Sequence, residues 1–432
     1  MRPRYVQTVV AGAACALLAA CGSVAAPGAP AGGGPQDSSS TLQIAGFDHP
    51  YSAAVVEEFR RAHPDITVEV SAVEVTFEEG SVQTLLRSGQ APDVLLVNSG
   101  PGRVGLLADG GLVADLSELY AERGLSQRYR PAVLDQITRQ GGGAPFEVVE
   151  GLDVFQVHFN KEYFTRAGVA VPATFDELRS ACGPLADSGT LPMVVGARDN
   201  FAGGWLLGAL VQSSAGAEAM SEVIYGDGAF DQPAIVRGGE MLRELIDAGC
   251  INAGEAAALD QEQAEAAFLA GEAAMTVMPQ GPMAELRAEG GDASRFDSFP
   301  MPALDPAAAA VPTAGLALSW VVPVDTDAKS AVYEWLDWVS SEEYLQLAAD
   351  SGMTLAPSRV VPDGANLDPA IQAAVDALAT APGYNPSVYL PASAKDAWYQ
   401  AVQGLLTGST SPETAIAGVQ AELEKSRAEG GG

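Results

Sequence analysis

Positive charge is scarce in this chain: 23 Lys and Arg stand against 55 Asp and Glu, a formal net charge of −32 at pH 7. A surface that negative repels phosphate backbones, so nucleic acid is not an expected partner. Histidine is scarcer still, with His49, His63 and His158 far apart in sequence. The chain contains no H-E-x-x-H helix, no G-x-S-x-G elbow and no glycine-rich phosphate loop with Lys. Zinc hydrolysis, serine acyl transfer and nucleotide hydrolysis lose their usual signatures with them. Pairs of carboxylates that could serve a glycosidase arise by chance among 55 acids. No catalytic residue, metal or cofactor is therefore expected, and the chain does not read as an enzyme. Long apolar runs are missing too, and no segment beyond the first twenty residues is long enough to span a bilayer.

What is present begins with the plan of an export signal. Arg2 and Arg4 precede an apolar stretch from Val6 to Leu18, which is too short for a stable membrane helix. It ends in Leu18-Ala19-Ala20-Cys21-Gly22, which resembles the lipobox of bacterial lipoproteins. The resemblance implies cleavage after residue 20, lipidation of Cys21 and an extracytoplasmic protein anchored to the cell membrane. Loss of the leader removes two arginines and no acid, leaving 21 bases against 55 acids, a charge of −34. Residues 21–40, rich in Gly, Ala, Pro and Ser, cannot bury enough apolar surface to offset chain ordering and read as a flexible tether. Four cysteines are few. With Cys15 in the leader and Cys21 lipidated, Cys182 and Cys250 remain as a pair that an oxidising compartment would favour bonding.

From Thr41 on, the remaining length suggests two domains. Strand and helix patterns alternate: an apolar run Leu42 to Phe47, a helical face of Val55, Val56, Phe59 and Ala62, then alternation at Ile66, Val68 and Val70. Val94-Leu95-Leu96-Val97 is apolar on both faces, as a central parallel strand is. A strand near Val154 to Phe159, a helix near Thr174 to Ala186, a strand at Met193 to Gly196 and a helix from Trp205 repeat the plan. The expected fold is α/β, two doubly wound units with helices on both faces. Ligands of such sheets lie beyond the carboxyl ends of the strands. That rule selects Asp48 and His49, Asn98 and Ser99, Arg198 to Phe201 with Asp199 and Asn200, and Gln280 and Gly281. Trp205 joins them as an aromatic beside the third group, while Trp320 reads as core.

Several blocks in order resemble the family 1 bacterial extracellular solute-binding proteins. They are Phe59 to Val68, Ser88 to Val94, Phe159-Asn160-Lys161-Glu162-Tyr163-Phe164 continuing to Leu178, Ala267 to Met275, and Leu406 to Ala415. The resemblance implies a two-lobed, hinged fold of the type II periplasmic-binding kind, a monomer that delivers a small solute to the permease of an ABC importer. On that pattern one lobe comprises 41–150 and 315–350 and the other 154–312 and 355–432. The crossings fall near 150–153, 313–315 and 351–355. Thr174 with Glu177 reads as a capping box, and Ser411-Pro412-Glu413 as a helix start.

Sugar sites pair aromatic platforms with planar hydrogen bonders. Asp396-Ala397-Trp398-Tyr399-Gln400 resembles the aromatic pair with which the family's maltose-binding member stacks its sugar, making Trp398 and Tyr399 candidates. Where that member has Gly-Pro-Trp, this chain has Gly281-Pro282-Met283, a poorer platform. The expected ligand is a sugar or oligosaccharide. The alternative is a polyamine, peptide or other cation, favoured if Asp48, Glu150, Asp153 and Asp199 converge without aromatics between them. A lipoprotein sensor without a transport role is the remaining alternative.

Overall fold

The computed structural model describes residues 40–71, 81–378 and 383–430. The leader, Cys21 and nearly all of the tether lie outside them. The strands are β1 (Thr41–Ala45), β2 (Thr67–Ser71), β3 (Val94–Asn98), β4 (Val148–Asn160), β5 (Leu191–Met193), β6 (Ala273–Met278), β7 (Phe296–Phe299), β8 (Thr313–Val321) and β9 (Ala356–Pro357). They run in the order β2-β1-β3-β8-β4-β6-β5, with β7 and β9 also paired to β4.

β4 is the element that joins two sheets. Its first part, Val148 to Phe155, lies antiparallel to β8, which in turn pairs with β3. Its second part, from Gln156 to Asn160, lies between β6 and β7. All but one of its thirteen residues are buried, as expected of a strand covered on both faces. The parallel pairs are β1 with β2 and β3, and β5 with β6. Both sheets are thus mixed, because β8 and β4 insert antiparallel into otherwise parallel arrays.

Two large apolar cores divide along β4. One gathers Leu42, Phe59, Leu96, Val154, Trp320 and Trp335 around the first sheet; the other gathers Phe155, Leu206, Phe268, Met275, Trp398 and Val402 around the second. Local chemistry sets the helix ends. Thr174 accepts from the Glu177 N–H at 3.2 Å, but the Glu177 carboxylate takes the N–H of Ala173 rather than that of Thr174. Ser411 accepts from the Thr414 N–H at 3.3 Å, and the last helix starts at Pro412. Asn160 caps the helix Lys161–Ala167 through Glu162 N–H. Cys182 and Cys250 are bonded as a disulfide. No helix among the described residues is long and apolar enough to cross a membrane.

Candidate functional site

The strand-end rule places the candidate site where β1, β3, β5 and β6 end and β4 and β8 cross between the two cores. On the first-core side, β3 delivers half-buried Asn98 and buried Ser99, whose hydroxyl donates to Glu147 at 2.7 Å and accepts from Gln140 at 3.2 Å. The turn after it approaches the other wall closely. A Cβ on Gly100, whose φ is 125°, would stand 2.7 Å from the carbonyl oxygen of Val388, and one on Gly102 2.8 Å from that of Leu390. Glycine at both positions is what lets the segment 386–391 seat against this turn.

Across the crossing, half-buried Asp153 pairs in register with Gly315. Burial pushes its carboxyl up to about 6, against the opposing pull of the Arg103 charge. Phe155, two residues on and on the same face of β4, packs its ring 5.0 Å from that of Trp205. Trp205 belongs to the helix Phe201–Tyr225, which starts at Asn200 in the left-handed region (φ 70°) and is broken at Gly216. An Asn tolerates that conformation better than most residues. Asn200 accepts from Gln403 at 3.0 Å, and Phe201 meets half-buried Tyr399 edge to face at 6.1 Å. Tyr399 and Gln403 project from the helix Ala392–Thr407. With Asn200, Asp396, Gln400 and Thr407 they line an open groove of about 530 Å³. Positions 396, 399, 400, 403 and 407 share one helical face by the three- and four-residue rule.

The remaining sequence-selected residues lie elsewhere. Trp398 is fully buried in the second core, its ring edge-on to Phe230 and its indole N–H donating to Ser387 at 3.2 Å. Asp48 is exposed, and His49 stacks on Tyr51 at 5.0 Å, its pKa lowered by burial against the opposing pull of Glu150 and Asp48. Glu150 sits inside the first core. Its carboxylate accepts from Trp320 at 2.9 Å, from Tyr51 at 3.2 Å and from Tyr344. Asp199 is occupied by the N–H groups of Phe201 and Gln261. The four acids therefore do not converge, and aromatic rings surround Glu150. Gln280 is fully buried and ties the crossings together: its side chain accepts from Val154 N–H at 3.0 Å and donates to the carbonyls of Leu152 and Thr354 at 3.1 and 3.0 Å. Gly281 starts the helix Gly281–Ala288 beside Thr354. A separate cavity of about 510 Å³, bordered by Val133, Leu152, Ala314, Val361 and Tyr389, contains none of the selected residues.

Among the described residues no cluster of His, Cys, Asp or Glu has the arrangement of a metal site. Arg103, Phe155 and Gln403 were not selected from sequence. A Gly-Pro-Gly-Arg turn after a buried strand was the available signal for Arg103; nothing local distinguishes Phe155 from its apolar neighbours.

Glu147, beneath Ser99, gives this region a pH dependence. Complete burial pushes its carboxyl up to about 7, with Ser319 and Ser99 hydroxyls pulling the other way. A carboxyl raised above its unfolded value of ~4.3 contributes stability below that value and loses it as pH climbs toward the folded pKa. Glu147→Gln should therefore flatten the fall in unfolding free energy between about pH 4 and pH 7 and stabilise the protein at the upper end. Urea denaturation across that range checks this, and an unchanged slope would mean that Glu147 is ionised in the folded protein.

Two lobes built on separate cores, crossed by shared strands and meeting at strand ends, define the class of two-lobed solute-binding proteins. The chain belongs to the bacterial extracellular solute-binding protein family, whose model matches residues 47–346. Among solved structures it is similar to a chitin oligosaccharide binding protein (21% identity, TM-score 0.76, covering 90% of this chain and 99% of that one). It is also similar to a probable secreted solute-binding lipoprotein from Streptomyces coelicolor (23%, 0.72, 89% and 98%). A third likeness is to UgpB from Mycobacterium tuberculosis, solved in complex with glycerophosphocholine (17%, 0.72, 90% and 98%). These identities speak to the fold. Among curated protein sequences none matches this chain significantly.

Proposed function

We propose that this protein is the receptor of an ABC importer, taking a sugar or oligosaccharide between its lobes and handing it to permease subunits without altering it. The observation that carries this reading is the groove at the end of β5. There a half-buried tyrosine stands beside Asn200, Asp396, Gln400 and Gln403, an aromatic face edged with planar hydrogen bonders. That is the chemistry hydroxyl-edged rings require. All of these lining residues belong to the second lobe, so the first lobe would meet the ligand on closure. Phe201 would support the platform edge-on. The oligosaccharide-binding neighbour agrees with this class of ligand.

The lobe boundaries follow: 41–150 with 315–350, and 154–312 with 355–432, crossing near 150–153, 313–315 and 351–355. The change of partners along β4 and the position of Gln280 between two of these crossings support that assignment. Closure about such crossings is the motion of hinged binding proteins. Tyr399→Ala should weaken oligosaccharide binding by roughly 1–3 kcal/mol with little change in the unfolding midpoint. Calorimetry with a saccharide that raises the midpoint measures it, and undiminished affinity would remove Tyr399 from the site.

Anchoring at Cys21 fits the lipobox-like segment and the lipoprotein among the structural neighbours. Cys21→Ser should shift the protein from the membrane fraction to the soluble fraction; retention on the membrane would rule out lipidation there. A polyamine, peptide or other cation is the second reading; the neighbour solved with glycerophosphocholine, a zwitterion bearing a quaternary ammonium, supports a non-sugar ligand. The dispersal of Asp48, Glu150, Asp153 and Asp199 counts against it, since a cation needs convergent acids.

A further inference from the structure

The cavity of about 510 Å³ bordered by Val133, Leu152, Ala314, Val361 and Tyr389 shares no residue with the proposed sugar groove. Its size is that of a small-molecule site, well beyond the gaps that close packing leaves. Leu152 and Ala314 reach it from one face of the crossing strands, whereas Asp153 and Phe155 project from the other.

Three polar side chains interrupt the apolar lining. Arg130 immediately precedes the helix Pro131–Gln140, and its guanidinium makes no hydrogen bond or ion pair among the described residues. None of its nitrogens is sealed from water. Burial holds its pKa below the ordinary guanidinium value, against the opposing pull of Asp376. Asp376, exposed on the helix Pro369–Ala377, accepts from Gln372 through Oδ1 at 2.8 Å, which leaves its second oxygen free. A cation and an anion thus border one cavity without pairing. The third side chain, Gln136, is 5% exposed and accepts from the Tyr389 hydroxyl at 2.6 Å. Its Nε2 has no acceptor among the described residues and is likewise open to water.

Each of these groups excludes a class of occupant. A plain carboxylate is repelled by Asp376, and a plain amine by Arg130. An uncharged apolar molecule would strip water from the guanidinium and return no acceptor. A zwitterion satisfies both charges at once, with its carboxylate on the guanidinium fork and its ammonium on the free carboxylate oxygen. The apolar walls then take the body of the molecule, and Gln136 calls for an acceptor at its far end. A phenol ring meets both requirements, since it is flat and apolar with an oxygen at its tip. We propose that this cavity is a binding site for a free hydroxyaromatic amino acid. Its α-carboxylate lies on Arg130, its α-ammonium on Asp376 and its ring against Val133, Leu152 and Val361, and its phenol oxygen accepts from Gln136.

Equilibrium dialysis of the purified full-length protein against radiolabelled L-tyrosine tests this, and uptake should be saturable. Tyramine, which lacks the carboxylate, and para-hydroxyphenylpropanoate, which lacks the ammonium, should each bind about tenfold more weakly. L-phenylalanine, with no oxygen for Gln136, should bind severalfold more weakly. Arg130→Gln should weaken tyrosine about tenfold without weakening tyramine, and Asp376→Asn should weaken tyrosine without weakening the propanoate. Asp376 is exposed, so that variant and the ligand series keep the site testable if Arg130→Gln does not fold. Absence of saturable tyrosine uptake would overturn the site. Tyramine or the propanoate binding as tightly as tyrosine would overturn the charge assignment, and phenylalanine doing so would overturn the role of Gln136. Saccharide binding should persist in both variants. Its loss together with that of tyrosine would place both ligands in one cleft and overturn a separate site, whereas its absence from the parent protein would bear on the transport role alone.

Discussion

Replacing Trp398 by alanine is expected to cost about 3–5 kcal/mol of folding stability, as for a large aromatic removed from a packed core. The indole is fully buried, edge-on to Phe230 at 5.8 Å, and its N–H is satisfied by Ser387. The substitution therefore leaves a cavity and an unpaired hydroxyl together. Its neighbour Tyr399, half-buried at the groove, should behave in the opposite way, losing affinity and keeping stability. Urea denaturation of the two alanine variants separates these roles. A Trp398→Ala loss below about 1 kcal/mol would mean that the ring does not sit in the core.

Loss of the Cys182–Cys250 bond should lower stability by about 2–5 kcal/mol. The bond joins residues 68 apart in sequence, with Cα atoms 5.1 Å apart. It ties the helix Phe175–Asp187 to the turn that follows the helix Pro233–Asp247. Closing so long a loop restricts the unfolded chain, while both sulfurs lie in the second core. A Cys182→Ala, Cys250→Ala double variant should show the loss without added reductant, and the parent should approach it under strong reduction. Equal midpoints for parent and double variant would indicate that the bond adds nothing to folding.

Much of the scaffold could be read from residue patterns because single elements carry strong local signals. Val94 to Val97 became a buried central strand, and the Thr174 hydroxyl accepts from Glu177 as its spacing foretold. The reciprocal bond slipped to Ala173, a difference of one peptide that sequence spacing does not resolve. Side-chain destinations were harder. Adjacent residues Trp398 and Tyr399 sit about 100° apart around a helix, so one faces the core and the other the groove. A sequence resemblance that carries both cannot choose between them. Gln280 reads as a polar strand-end residue suited to a ligand, and Glu150 as one of the acids a cationic ligand would need. Instead, acceptors and donors contributed by distant segments occupy them, Tyr344 and Trp320 in one case and Thr354 in the other. Such partners come from tertiary packing and leave no local trace.

The binding role itself is tested most directly by thermal unfolding of the folded chain from residue 41 against oligosaccharides of glucose, galactose and N-acetylglucosamine, with polyamines and glycerophosphocholine alongside. A ligand that binds the folded state alone raises the midpoint with its concentration. One saccharide class should do so, saturably, and should be recovered with its mass unchanged. A midpoint indifferent to every saccharide but raised by a polyamine or by glycerophosphocholine would contradict the sugar assignment, and recovery of a cleaved saccharide would contradict the receptor role.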